Sequence, residues 1–258
     1  EIKARCSGPG ARIIADTNPD HPEHWLLKDY IQSEAAGIMS FHFRLDDNTF
    51  LDERYVQQIK ETTPKGMFYD RGINGLWVSG EGVVYPEFDR NVHVITREQA
   101  NKIIFDRYFA GVDWGWEHYG AIVVIGVKGD EYYIIEEYAA RHKYIGEWIK
   151  RAKDVIRRYG NIPFYCDPAR TEHISAFQKA GISAYLANNR VLSGIEAVAT
   201  LMTTKKFFIV YDECPRFREE IYKYVWKKNT GEPLKENDDV LCAIRYGIYS
   251  DMTVREIE

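Results

Sequence analysis

The chain reads as an α/β protein: a mixed sheet, built from an antiparallel meander plus parallel strands and flanked by helices. Three observations predict it. Residues 108–112, 121–127 and 132–138 are apolar, β-branched and aromatic runs separated only by short turns, so they must pair as consecutive antiparallel strands. From residue 145 onward, stretches with helical spacing alternate with short apolar runs, the pattern of helix-connected strands in a mixed sheet. At 258 residues, 45% hydrophobic and 28% charged, the chain is long enough to bury a sizeable core.

Before residue 100 the sequence is irregular and rich in turn signals, among them Ser7-Gly8-Pro9-Gly10, Asn18-Pro19-Asp20 and Thr63-Pro64-Lys65-Gly66. Strand-like runs stand at 11–15 and 39–43, a helix is expected over 52–61, and 77–85 reads as a loop entering a strand. Beyond it the three meander strands follow, the turn Lys128-Gly129-Asp130 joining the last two. A helix spans 145–159 because Ile145, Trp148, Ile149, Ala152, Val155 and Ile156 repeat at helical spacing. Then come a strand at 162–166, a helix at 171–180 closed by Gly181, a strand at 183–186 and a helix at 194–203. A strand at 207–211, a helix around 216–224 and a last helix over 239–249 complete the order. The change of pattern divides the chain into 1–100 and 101–258.

Composition excludes several classes. No apolar run approaches the roughly 20 residues that span a bilayer. Cys6, Cys166, Cys214 and Cys242 lie far apart without a CxxC pair, as expected for reduced thiols in an intracellular protein. Glu1-Ile2-Lys3-Ala4-Arg5 carries neither an apolar leader nor an initiating Met, which points to a piece of something longer. The formal net charge is -5, yet residues 141–228 hold 17 Lys+Arg against 9 Asp+Glu, leaving 17 against 30 elsewhere. Such a division suits either a solvated basic surface or a polyanion-facing one beside an acidic pocket.

Two strand-end acids stand out: Asp113, closing Phe109-Ala110-Gly111-Val112, and Asp167, closing Phe164-Tyr165-Cys166 before Pro168. Burying an unpaired carboxylate costs several kcal/mol, about 3–5 where a partner is missing, so packing explains them poorly. Capping of the following turn explains either one alone. Asp238 and Asp239 open the final helix, where acids also serve as ordinary caps. If the two strands lie side by side, Asp113 and Asp167 meet, and crowded carboxylates call for hard cations such as Mg²⁺ or Mn²⁺. Two such ions roughly 3.5–4 Å apart suit phosphodiester cleavage. No zinc-spaced His/Cys cluster, GxSxG elbow or GxxxxGK[ST] phosphate loop is present. His118 and His173, near the two acids, read either as acid/base groups or as surface histidines.

Phe109-Ala110-Gly111-Val112-Asp113-Trp114-Gly115-Trp116, then Tyr165-Cys166-Asp167-Pro168-Ala169, then Lys235-Glu236-Asn237-Asp238-Asp239 leading to Ala243-Ile244-Arg245-Tyr246, resembles the nuclease domain of phage large terminase subunits. Arg12-Ile13-Ile14-Ala15-Asp16-Thr17-Asn18-Pro19 and Gly80-Glu81-Gly82-Val83-Val84-Tyr85 resemble the tail of the same family's ATPase domain. The resemblance implies an RNase H-like fold for 101–258 and a remnant of the ATPase domain with its linker for 1–100. It implies a two-ion (Mg²⁺ or Mn²⁺) endonuclease cutting double-stranded DNA with low sequence specificity during viral packaging. Asp113, Asp167 and Asp239 would be its catalytic ligands, Asp113 shared between the ions and Asp238 assisting or capping. Arg157, Arg158, Lys205, Lys206, Lys227 and Lys228 are the candidate phosphate contacts. The implied partners are DNA, the portal protein, the small terminase subunit and the rest of the ATPase domain, with no membrane, and the implied location is the host cytoplasm and the procapsid portal. Ala169-Arg170 and Cys242 depart from the family's further acids, and the absence of Walker motifs predicts no ATP turnover. A resolvase- or transposase-type nuclease and a non-catalytic DNA or portal docking module are the alternatives.

Overall fold

The structure, a computed structural model, describes residues 8, 10–22, 24–33 and 37–255. Cys6, Ser7, Pro9 and the opening Glu1-Ile2-Lys3-Ala4-Arg5 lie outside the described residues. Seven strands form one sheet: β1 (Val94–Ile95), β2 (Arg107–Asp113), β3 (Gly120–Lys128), β4 (Glu131–Ala140), β5 (Phe164–Cys166), β6 (Ala184–Leu186) and β7 (Phe207–Val210). Their order is β1-β7-β4-β3-β2-β5-β6. β2, β3 and β4 are the antiparallel meander; β5 runs parallel to β2, β6 to β5, β7 to β4 and β1 to β7. Every strand but β3 therefore ends at the same edge of the sheet.

The helices are α1 (Glu53–Thr62), α2 (Met67–Gly72), α3 (Arg90–His93), α4 (Arg97–Asn101), α5 (Ile145–Tyr159), α6 (Thr171–Lys179), α7 (Val191–Thr203), α8 (Pro215–Glu220) and α9 (Asp239–Arg255). Both sheet faces are covered, and strand periodicity sorts the side chains between them. Ala110, Val112, Ile122, Val124, Phe164 and Cys166 pack with Trp148 and Val155 of α5 and Phe177 of α6. Phe109, Val123, Ile125 and Tyr165 pack with α7 and α9. The same alternation turns Asp113, two residues beyond Gly111, and Asp167, two beyond Tyr165, toward the α9 face.

From residue 107 onward the expected strands form within two residues of their predicted ends, and the helix at 145–159 forms as predicted. The helix expected at 52–61 is α1, capped by Asp52, whose side chain accepts from the Arg54 and Tyr55 N–H groups. Other expectations change, and the helix expected at 194–203 begins already at Val191. Residues 11–15 and 39–43 are not strands; Ile14, Met39 and Phe41 are exposed there, because an apolar run becomes a strand only where another backbone pairs with it. Residues 77–85 hold a single bridge, Val83 to Val225, in place of a strand. The helix expected over 216–224 stops at Glu220, and its continuation turns back so that the Val84 N–H donates to the Tyr224 carbonyl. The last helix runs on to Arg255. β1 and helices α2, α3 and α4 were not foreseen. β1 joins the sheet, and Met67, Val84, Tyr85 and Phe88 enter the α9-side core. Tyr224 and Trp226 are buried, while Tyr222 faces solvent. No described helix is long and apolar enough to cross a membrane.

Candidate metal centre

β2 and β5 pair through Val112 and Cys166, so the next residues, Asp113 and Asp167, emerge side by side. The Asp167 N–H donates to the Val112 carbonyl at 2.9 Å, and buried Trp114 donates its indole N–H to the Asp167 carbonyl at 3.1 Å. These bonds tie the two strand ends together. Asp167 Oδ1 caps the turn at Pro168–Arg170 by accepting from the Ala169 N–H at 3.1 Å, and the Tyr246 hydroxyl of α9 donates to the same oxygen at 3.4 Å. Asp167 therefore caps the turn and also stands beside Asp113 at the strand ends.

α9 crosses this edge with its N-terminus beside the strand ends. Asn237 takes a left-handed backbone (φ 54°) that turns the chain into the helix. Glu220, from α8, reaches across and accepts the Val240 and Leu241 N–H groups at 2.8 and 3.1 Å. Glu220 thus satisfies the open amides of the helix start, leaving the carboxylates of Asp238 and Asp239 for other contacts. Asp239 is 5% exposed; its Oδ1 lies 2.9 Å from His118 Nδ1 and its Oδ2 lies 3.6 Å from Arg216 Nη2. Asp238 Oδ2 accepts from the Cys242 thiol at 3.5 Å.

The electrostatics are those of crowded acids. Burial first, then Asp167, Asp239 and Asp238, hold the Asp113 carboxyl well above the usual carboxylate range, with Arg245 opposing. Burial also raises Asp238, helped by Asp239. Among the described residues no hydrogen bond or ion pair holds the Asp113 side chain. Nor do any three His, Cys, Asp or Glu side chains among them close into a ready cage. The donor set nevertheless fits a hard divalent cation: clustered carboxylate oxygens, one of them unpartnered, whose mutual repulsion an added positive charge relieves.

Of the residues singled out in the sequence, the fold brings Asp113, Asp167, Asp238 and Asp239 to one edge, and exposed His118, left open between an acid/base and a surface reading, reaches Asp239. His173 packs its ring edge-on against Trp114 at 5.0 Å instead. The basic candidates divide. Arg157 and Arg158 close α5 and Lys205 and Lys206 precede β7, all at the opposite end of the sheet from the carboxylates. Arg157 pairs with Asp154, Arg158 with Glu136 and Lys206 with Asp130. Lys227 and Lys228 are exposed in the loop that delivers Asp238. Arg216 and Glu220 were missed, and Arg245 and Tyr246 stood only in the string of the final helix, without a role. Only the i,i+4 spacing of Arg216 and Glu220 hinted at a pair, and nothing local pointed across to Asp239.

An antiparallel meander extended by parallel strands, with acids at the ends of the adjacent strands β2 and β5 and beneath a crossing helix, defines the RNase H-like class. The family described as Terminase RNaseH-like domain matches residues 110–250, and the chain belongs to it. The family described as Phage terminase large subunit matches residues 2–71. Among solved structures, the chain is similar to the large terminase of a thermophilic bacteriophage in complex with ATP-gamma-S: 28% identity, TM-score 0.86, covering 97% of this chain and 66% of that one. It is similar in fold to the P22 large terminase nuclease domain (21%, TM-score 0.56, 67% of this chain and 94% of that one). The same holds for the nuclease domain of the bacteriophage SPP1 large terminase with bound Mn (19%, TM-score 0.52, 63% and 97%). The chain therefore spans about two thirds of the length of the thermophilic phage's large terminase. Comparison with curated proteins finds no match.

Proposed function

We propose that the chain is a divalent-metal-dependent endonuclease that cuts double-stranded DNA with low sequence specificity during viral genome packaging. The observation that carries this reading is that Asp113, Asp167 and Asp239 stand at one sheet edge, with Asp113 unpartnered among the described residues and held above its ordinary range by burial first and then by the other acids. Similarity to terminase nuclease domains, one of them solved with bound Mn, supports it.

Asp113, Asp167 and Asp239 would hold two Mg²⁺ or Mn²⁺ ions, with Asp238 beside them. Bound there, the cations supply the positive charge that the attacking water and the leaving oxygen of a phosphodiester require. The protein's own groups do the positioning. Tyr246 orients Asp167, while His118 and Arg216 hold Asp239 from either oxygen. Glu220 anchors the helix start on which Asp239 rides. Lys227 and Lys228 would meet phosphates from the neighbouring loop. Residues 1–100 are read as the tail and linker of a motor domain and 101–258 as the nuclease, a division supported by the match of 2–71 to the large subunit family. That match also counts against a resolvase or transposase. The portal, the small subunit and the host cytoplasm belong to the same proposal.

The test is conversion of supercoiled plasmid with Mn²⁺, Mg²⁺ or EDTA, beside Asp113→Ala. Metal-dependent cutting should fall in the variant by on the order of a hundredfold or more, since even the outer partners of metal ligands are worth about 10–100-fold. Cutting that survives both EDTA and the substitution would sink the reading. A docking module would bind DNA without responding to either.

A further inference from the structure

The geometry points to a second substrate-contacting element: a strap of residues 114–119 and 141–144 that holds the DNA backbone through Arg141 and Lys143, beside the carboxylates. This inference rests on the nuclease reading above. The strap sits at the edge where β2 and β4 end, one residue from the site, because Tyr119 follows the His118 that contacts Asp239.

Its two loops are locked together. The His142 N–H donates to the Trp116 carbonyl at 3.1 Å, and the Trp116 ring lies 5.0 Å from Tyr144 and 5.6 Å from His142. The fully buried Trp148 of α5 donates its indole N–H to the Lys143 carbonyl at 3.2 Å, which anchors the strap to the core. Gly115 lets the first loop fold tightly, since a Cβ there would meet the Tyr119 carbonyl oxygen at 2.2 Å.

On this frame the charges are unusual. Arg141 and Arg216 both stand over the Tyr119 ring, 4.4 and 4.3 Å from its centre. Arg216 is matched by Glu219, Glu220 and Asp239. Arg141 and Lys143 are exposed and have no acidic partner among the described residues. Of the two guanidiniums on this ring, only that of Arg141 is left without an acid among the described residues. The strap does include an exposed acid, Glu117. Trp116 and Tyr144, 36% and 76% exposed, form an apolar wall beside these cations. Cations without acidic partners beside the carboxylates are what a phosphate backbone requires. The Arg157, Arg158 and Lys206 cluster at the far end is already paired with acids.

The experiment compares the wild-type chain with Arg141→Ala/Lys143→Ala. It measures affinity for a labelled 30-base-pair duplex across salt in EDTA, and plasmid cutting with Mn²⁺. The double variant should bind about tenfold more weakly and lose about two units of salt slope, one per phosphate contact. Cutting should show raised KM with kcat kept within about twofold, the mark of lost uniform binding. Trp116→Ala/Tyr144→Ala should weaken binding with the slope unchanged. Wild-type cutting with affinity and slope untouched in the Arg141/Lys143 variant would overturn the strap alone, as would a loss that follows Arg157→Ala/Lys205→Ala instead. Wild-type protein that neither binds duplex nor cuts it would overturn the nuclease reading and the strap together.

Discussion

Glu87 and Asp113 are both carboxylates that burial pushes upward, yet they differ in company. Asp113 has three acids around it, whereas Glu87 lines a cleft with Ser79, Trp77 and Trp226, and its Oε2 finds no hydrogen-bond partner among the described residues. Burial raises Glu87 from the ordinary 4.5 to about 7. The unfolded chain then releases this proton near pH 4.5 and the folded chain near 7, so the folded state binds more protons in between. Stability must fall as pH rises through that window, with the full cost present above it. Glu87→Gln should remove this dependence: relative to the variant, wild-type protein should lose a few degrees of melting temperature between about pH 5 and pH 8. Thermal melts of both proteins at the two pH values check it, and parallel behaviour would refute it. At this scale the acids of the site were legible, because a carboxylate closing an apolar strand conflicts with its surroundings. Glu220 and Arg216 were not, because an acid and a base on a short helix satisfy local rules completely and become site residues only by reaching Val240, Leu241 and Asp239.

The element that governs the site is α9, and its seat is the crossing over β2. Gly111 lies directly beneath it: a Cβ there would stand 1.8 Å from the Ala243 carbonyl oxygen and 2.9 Å from the Gly247 nitrogen. Backbone cannot yield as a flexible side chain does, so Gly111→Ala must lift the helix and carry Asp239 away from Asp113. The expected cost is about 3 kcal/mol or more, seen as a melting temperature lowered by roughly 6–12 °C, with plasmid cutting lost in protein that remains folded. A variant that melts like wild type would show that the crossing is looser than this packing. α5 was legible because its apolar stripe repeats through Trp148, Ala152 and Val155, all fully buried. α8 was overextended because Ile221 and Tyr224 continue an apolar pattern that the fold uses to bridge back to residues 82–84.

Across the whole molecule, the segment before residue 100 is fastened to the seven-stranded sheet. Phe88 stacks on His93 and meets Phe217 edge-on, His93 meets Phe207, and β1 extends the sheet beyond β7. A piece comprising 101–258 alone would uncover Phe207 and Phe217. It should melt several degrees below a chain that retains residues 67–100 and bind more of an apolar dye. Equal melting temperatures and equal dye binding would show that the segment merely rests on the sheet.

The sequence by itself determined the order of the strands and helices from residue 107 onward, because strand and helix periods are local properties of the chain. It also singled out the acids of the proposed site, because the misfit of Asp113 and Asp167 with apolar strands is written in adjacent residues. The tertiary structure alone decided which cations face those acids and which lie at the far end of the sheet. It alone decided that Glu220 secures the helix start and that 11–15 and 39–43 are not strands. These outcomes depend on which backbone lies opposite, a relation between distant residues that no local pattern encodes.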